Sequence, residues 1–534
     1  MNNKILNSIF ISFTAAVMLF GCAKKLDIFP QNDLTPEKVY ANAAGYNAVL
    51  AKIYATLSTT GNSGPAGSPD IGGGLDEGSQ VAFIRGFFNC QELTTDEAVV
   101  AWNDQTIQEF HNLSYNASDP FVRGMYARPI YNITLINEYI RESADGKLSE
   151  RGITGANADA IKKSRAEARF LRAYNYWVMM DLFGKSTFIT EADLVGAFRP
   201  KEISRIELFN YIESELRALE TELPTVRTAI YGRVDQGAAW GLLARMYLNA
   251  AIYTGTQKNT EAITYASKVI AGGYALHNNY RQLFMADNNR TSKSEFIFTA
   301  NCDGFNTKSY GNTTFLIHAP VGSDNADFGS NGGWFGYRAT AGLANQFPDL
   351  TGATDKRAMF TTSAFGTSPA QIAIPNVSDF SNGLHVNKYR NIRADGAPAN
   401  DPNKDFSDID FPLIRLAEMH LIYAEAVLRG GTGGSPTTAF GYINALRNRA
   451  GATPIIIGQM DLPFILAERA RELYWEGHRR TDLVRYNLLT TATYLWPWKG
   501  GVAAGTSVNS KYNLFPIPSA NRNTNENLSQ NTGF

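Results

Sequence analysis

Apolar residues recur at helical spacing over most of the chain. The segment 160–184 (AIKKSRAEARFLRAYNYWVMMDLFG) is rich in Ala, Leu, Arg and Glu, which lose little freedom in a helix, and it stops on Gly184, so it predicts a long helix. At 34–37 the sequence puts Thr35 at an N-cap and Pro36 at the first helical position, predicting an amphipathic helix to about Leu57. Between 120 and 142, Tyr126, Ile130, Ile133 and Ile136 fall on one helical face. Ser204 followed by Glu207 is a capping box that opens a helix reaching Leu223. Two more helices are expected at 235–253 and 260–271.

These helices read as pairs. GAAWGLLARMYL at 237–248 is followed by AITYA at 262–266, and LAEMHLIYAEAVL at 416–428 by AFGYINAL at 439–446. Small residues sit where two helices must approach, and aromatics fill the space beside them. The lengths fit tetratricopeptide-like hairpins of about 34 residues, about four in all. The expected fold is therefore mainly α, a helical-repeat scaffold that can run as one body despite its length. The stretch 274–412 departs from this pattern. It is rich in Gly, Asn, Thr, Asp and Ser and carries short pieces read as strands, at 295–299 and 314–317. It reads as a loop-rich, short-stranded insertion.

Composition narrows the function. The 534 residues carry a net charge of -1, which argues against nucleic acid as a partner, because phosphate binding needs a basic surface. Aromatics make up 12% of the chain, enough to furnish a binding surface as well as a core. The cysteines are Cys22, Cys90 and Cys302; the last two could pair in an oxidising compartment or stay as buried thiols. No metal-ligand spacing joins the cysteines and the six histidines. The acidic run Asp401, Asp405, Asp408, Asp410 lacks EF-hand spacing and reads as solvated charge. Before Lys24 the only charged side chain is Lys4, and the apolar stretch 5–20 is too short for a membrane span. It ends Leu19-Phe20-Gly21-Cys22, which is similar to a bacterial lipobox; the alternative is an ordinary cleaved signal peptide. Lipidation at Cys22 would anchor the chain.

Two stretches carry candidate chemistry. The block at 90–116 holds Trp102 beside Asn103, Asp104 and Gln105. A ring face with hydrogen-bonding neighbours suits a sugar, whose C–H face stacks on the ring while its hydroxyls take the polar groups; the alternative is a Trp packed in the core. GGWFGYR at 332–338 sets Trp334 among glycines, either as a second platform or as a turn with a packed ring. The run 59–78, rich in Gly, Ser and Pro, is a loop, and the absence of a following Gly-Lys-Ser/Thr excludes a phosphate-binding loop. At 463–487, Glu468, Glu472 and Glu476 recur one helical turn apart with Arg469, Arg471 and Arg480 nearby, which reads as a structural ion-pair network rather than an acid/base pair.

Taken together, the lipobox at Cys22 and the blocks at 165–184, 231–255, 411–429, 468–486 and 513–534 resemble, in order, the SusD/RagB family of surface glycan-binding lipoproteins. The resemblance implies a signal peptide over 1–21 and a single domain over 22–534, with the irregular ligand-binding part mainly at 59–118 and 274–412. It implies a non-catalytic protein on the outer membrane, facing the exterior, that passes oligosaccharide to a TonB-dependent transporter of the SusC type and uses no cofactor. The blocks at 64–78 and 94–105 are similar to starch-binding members, so an α-glucan is the first ligand to expect, with another glycan as the alternative. The glycan-binding residues carried over are Trp102, Trp334, Tyr310 and Arg85, with Asn103, Asp104, Gln105 and Tyr337 beside them. Two other readings stay open. A glycoside hydrolase would need two carboxylates roughly 5–10 Å apart, and Asp96, Glu97 and Asp104 lie near Trp102 in sequence. A purely assembly-forming repeat protein would bury the aromatics.

Overall fold

The computed structural model describes residues 35–193, 196, 198–361 and 372–534. Cys22, the lipobox and the apolar segment before it lie outside the described residues. Among the described residues no helix is long and apolar enough to cross a membrane.

The scaffold is a succession of helices: α1 (Ala43–Ala55), α2 (Pro120–Glu142), α3 (Gly155–Phe183), α4 (Arg205–Glu222), α5 (Gln236–Leu248), α6 (Asn259–Ala271), α7 (Leu416–Leu428), α8 (Pro436–Ala450), α9 (Leu462–Leu473) and α10 (Arg479–Arg485). From α2 to α8 each packs on the next. The paired helices expected at 237–266 and 416–446 are present as α5/α6 and α7/α8. The local signals explain the boundaries. Ser204 and Glu207 form the expected capping box, Asp235 caps α5 by accepting from Gly237 N, and Gly184 ends α3 at φ 76°, a conformation that a Cβ would oppose. The small residues of α5 have a packing role: a Cβ on Gly241 would stand 2.8 Å from Cγ2 of Ile414, so glycine lets the helix lie against the strand β4 (Phe411–Arg415). That strand pairs antiparallel with β2 (Phe296–Ala300).

Four expectations need correction. The first helix is two: Pro36–Val39 is followed by a break where the Asn42 side chain accepts from Ala44 N and Gly45 N and starts α1, because asparagine serves better as a cap than inside a helix. The segment 235–253 likewise divides at Asn249 into α5 and Ala250–Thr254. The piece 314–317 is not a strand but lies in the helix Thr313–His318, capped by Asn312 and wholly buried. Finally, α9 stops at Leu473. Tyr474 is extended and Trp475 and Gly477 take positive φ, so Glu476 leaves the face shared by Glu468 and Glu472.

The ion-pair network is real but its partners are mostly distant. Arg357 meets Glu468 at 2.8 Å and Glu472 at 3.2 Å; Arg415 meets Glu295 at 2.9 Å, Glu472 at 2.6 Å and Glu476 at 2.6 Å; Arg449 meets Glu295 at 3.0 Å and also pairs with Glu472. Of the arginines expected from the sequence, Arg471 pairs with Glu468, Arg469 turns to Asp482, and Arg480 stacks over Phe515. These buried charges pin the loop-rich insertion to α8 and α9. Cys90 and Cys302 are both buried free thiols.

Candidate functional site

The site is rooted in the turn after α9. Arg479 makes two 2.7 Å contacts with the Asp96 carboxylate, Glu92 accepts from Gly477 N and His478 N, and Trp475 Nε1–H donates to Glu97 O at 3.3 Å. These contacts seat the segment 92–97. The strand β1 (Val99–Val100) follows and pairs antiparallel with β3 (Tyr337–Arg338), Val100 opposite Tyr337. Trp102 is thereby set beside the glycine-flanked Trp334. Its Nε1–H donates to Trp334 O at 3.0 Å, across 232 positions of sequence. Ala101 N also bonds Gly336 O at 2.9 Å. A Cβ at Gly336 would fall 2.2 Å from Trp102 Nε1, so only glycine allows this approach.

Trp102, Trp334 and Tyr310 line an open cavity of about 380 Å³ together with Arg85, Asp104 and the loop residues Pro65, Ala66, Asp76, Glu77, Gly78 and Ser79. Tyr310 is 40% exposed and sits 6.2 Å from Trp334, tilted by 59°. Trp334 is backed by the parallel imidazole of His318 at 5.1 Å. Burial holds His318 below its usual range, with the carbonyls of Asp405 and Gly332 at its two ring nitrogens acting in the opposite direction. The rings are therefore fixed from behind while their fronts face the cavity.

Arg85 is the basic residue of the cavity lining. It is 9% exposed and its guanidinium carbon lies 5.6 Å from the Trp102 ring centre and 5.9 Å from that of Trp334. Among the described residues no carboxylate is within ion-pair distance of it, no side-chain hydrogen bond engages it, and its Nε is buried without a partner. Burial lowers its pKa, partly offset by Tyr337, Asp76 and Asp104. Unpaired buried donors carry a cost that an incoming acceptor would relieve.

The Gly-rich loop completes the rim and is tied down. Asp70 pairs with Lys52 at 2.8 Å and Arg128 at 3.2 Å, and Glu77 accepts from Thr60 Oγ1 at 3.0 Å and Gly67 N at 2.8 Å. No sequence signal marks its rim residues or His318; the glycine content marks a loop but not what it faces.

The structure thus brings together Arg85, Trp102, Asp104, Tyr310 and Trp334. Asn103 and Gln105 are exposed beside the cavity without lining it, and Gln105 Oε1 accepts from Gln80 at 2.7 Å. Tyr337 is a correction: it is fully buried, packs edge-on beneath Trp102 at 5.1 Å and donates to Asn89 Oδ1 at 2.7 Å, so it backs the Trp102 ring and does not line the cavity. Of the carboxylates a hydrolase would need, Asp96 and Glu97 are buried and engaged with Arg479 and Trp475, away from the cavity lining.

Three comparisons bear on identity. A family model described as SusD family matches residues 363–534. The chain is 36% identical to starch-binding protein SusD of Bacteroides thetaiotaomicron, covering all of both chains. Among solved structures it is similar to a SusD superfamily protein from Parabacteroides distasonis, with TM-score 0.70 at 20% identity over 94% of this chain and all of that one. It is also similar to a laminarin-binding SusD-like protein, with TM-score 0.67 at 22% identity over 93% of this chain and all of that one. On the full-length identity and the shared fold, this chain belongs to the SusD family.

Proposed function

We propose that this protein captures oligosaccharide at the cell surface by stacking sugar rings on Trp102, Trp334 and Tyr310. The observation that carries the reading is the unpaired Arg85 guanidinium between two ring faces that open on one cavity. Its N–H groups are donors for sugar hydroxyls, and Asp76, Glu77 and Asp104 on the same lining are acceptors. The ligand is an uncharged glucan of the α-linked, starch type, a choice supported by full-length similarity to a starch-binding protein. Each stacked ring adds about 0.5–1.5 kcal/mol beyond its buried area, so affinity is moderate and exchange fast, as capture for hand-over requires. The protein is not an enzyme, is held on the outer membrane through a lipid on Cys22, and hands its ligand to a TonB-dependent transporter of the SusC type.

Calorimetric titration against α-glucans, β-glucans and unrelated polysaccharides tests this with wild type, Trp102→Ala, Trp334→Ala and Arg85→Met. Each substitution should weaken binding to the same glycan at least several-fold. If the tryptophan variants bind like wild type, the platform assignment fails. Preference for a different glycan replaces the ligand and keeps the site, and release of reducing sugar by wild type overturns the non-catalytic reading.

A further inference from the structure

We propose that Phe380, backed by Phe335, is a second sugar platform that receives the part of a glucan chain extending beyond the Trp102–Trp334 cavity. The proposal rests on the glycan reading above and adds a subsite to it. Phe335 follows Trp334 directly, so the ring that backs Phe380 springs from a backbone position about 3.8 Å from that of Trp334. Trp334 N bonds His318 O and its ring lies on His318. Phe335 N bonds Val321 O, and its ring crosses Gly322 so closely that a Cβ there would stand 2.0 Å from it. One turn, 318–322, therefore bears both rings. Phe335 is braced edge-on by His385 at 5.1 Å, and His385 is held by Asp324 at 3.1 Å.

Phe380 lies parallel to Phe335, 5.7 Å between centroids and 4° between planes, and is 38% exposed. Phe335 covers one face of the ring, and among the described residues no other ring stacks on Phe380. The mount is rigid. Arg338, 1% exposed, directs its guanidinium to the carbonyls of Val377, Asp379 and Asn382, which enclose Phe380 in sequence. Trp498 Nε1–H donates to Ile374 O at 2.8 Å and Asp379 Oδ1 accepts from Ser381 N at 2.9 Å. A buried arginine used to hold a turn that displays a phenylalanine is a positioning residue for that ring. Ser378 and Asp379 stand exposed beside it, Ser381 is half-buried, and all three offer partners for sugar hydroxyls. A single ring face with a polar rim matches the chemistry at Trp334 and fits one sugar unit, whereas a protein partner would call for a wider apolar surface.

The test is titration of the folded protein with maltotriose and with a linear α-1,4-glucan of more than ten units, for wild type, Phe380→Ala, Phe380→Trp and Trp102→Ala. Phe380→Ala should leave maltotriose affinity unchanged and weaken the long chain roughly three- to tenfold, with Phe380→Trp restoring it. Unchanged long-chain affinity in Phe380→Ala overturns the proposal, and so does an equal loss on both ligands. Failure of the parent reading is distinct: wild type then binds neither ligand, or Trp102→Ala loses nothing, and the subsite falls with it. Thermal unfolding of each variant confirms that the exposed position is altered without loss of fold.

Discussion

Gly336→Ala is the sharpest probe of how the tryptophan platform is held. The new Cβ would stand 2.2 Å from Nε1, 2.3 Å from Cε2 and 2.7 Å from Cδ1 of Trp102. Carbon contacts settle near 3.5–4.0 Å, so the indole must retreat by roughly 1 Å or more. It cannot retreat into the protein, because the buried Tyr337 ring stands edge-on at 5.1 Å. It must swing toward the cavity, which breaks the 3.0 Å bond to Trp334 O and alters the angle between the two rings. Loss of the bond costs about 0.5–1.5 kcal/mol of stability in the free and the bound protein alike, and the misaligned stack forfeits about 0.5–1.5 kcal/mol of binding. Affinity for the bound glycan should fall by that second amount, roughly two- to twelvefold. Gly332→Ala is the control, since no atom lies within 4 Å of its Cβ position, and it should bind as wild type. Calorimetry reads the affinity, and thermal unfolding separates it from the overpacking cost of about 1–3 kcal/mol. If Gly336→Ala binds as tightly as wild type, ring position does not govern capture and the reasoning from this geometry is wrong.

Acid should destabilise the fold through Glu468. Burial alone would raise its pKa, but Arg357, Arg471 and Arg447 overcome this and hold it at about 2. A depressed carboxyl stabilises above its unfolded value of 4.5 and loses that contribution as pH falls toward 2, an effect of about 3 kcal/mol for this one group. Melting followed from pH 7 to 2.5 should show a loss that is shallower in Glu468→Gln, less stable at pH 7, because Glu472, Glu425 and Asp482, also held low by arginines, still contribute; a parallel curve for the variant refutes the assignment. Glu97 has the opposite sign. Burial and the adjoining Glu92 charge raise it well above the usual range, and Arg479, 2.7 Å from Asp96 but 3.7 Å from Glu97, does not compensate. Its contribution is present below pH 4.5 and lost as pH rises through the folded value, so Glu97→Gln should gain on wild type in Tm between pH 5 and pH 8. Cys22→Ser should move the protein from the outer-membrane fraction to the soluble one; retention in the membrane refutes the lipid anchor.

Much of the scaffold was legible because its signals are local. The Ser204–Glu207 box and the Gly184 stop each act within one turn of the chain, and the structure places helix ends at both. The segment 314–317 reads as a strand in sequence because TFLI is a short apolar run that fits either element; burial on all sides and the Asn312 cap decide for the helix Thr313–His318. Charge at 463–487 announces a network, yet Arg357, Arg415 and Glu295, which complete it, come from far earlier in the chain. The two tyrosines near the platform show the limit more clearly. Tyr310 and Tyr337 are both expected at the site, but β1 pairing at Val100 turns Tyr337 inward, whereas Tyr310 stands at the mouth. No local pattern carries that information.

The buried charges and the open platform belong to one mechanical unit. Glu472 and Glu476 fix Arg415, and the chain then turns through Trp475 and Gly477 to present Arg479 to Asp96. Asp96 lies six residues before Trp102, on the segment whose strand pairs with the one following Trp334. A buried ion pair contributes little net stability against a well-packed apolar substitute, but breaking one partner costs about 3–5 kcal/mol and leaves a stranded charge. Such pairs therefore penalise displacement more than they reward folding. That is the property a preorganised sugar platform needs: its rings must already stand at the stacking geometry, since each ring has only about 1 kcal/mol to give and none to spend on ordering loops.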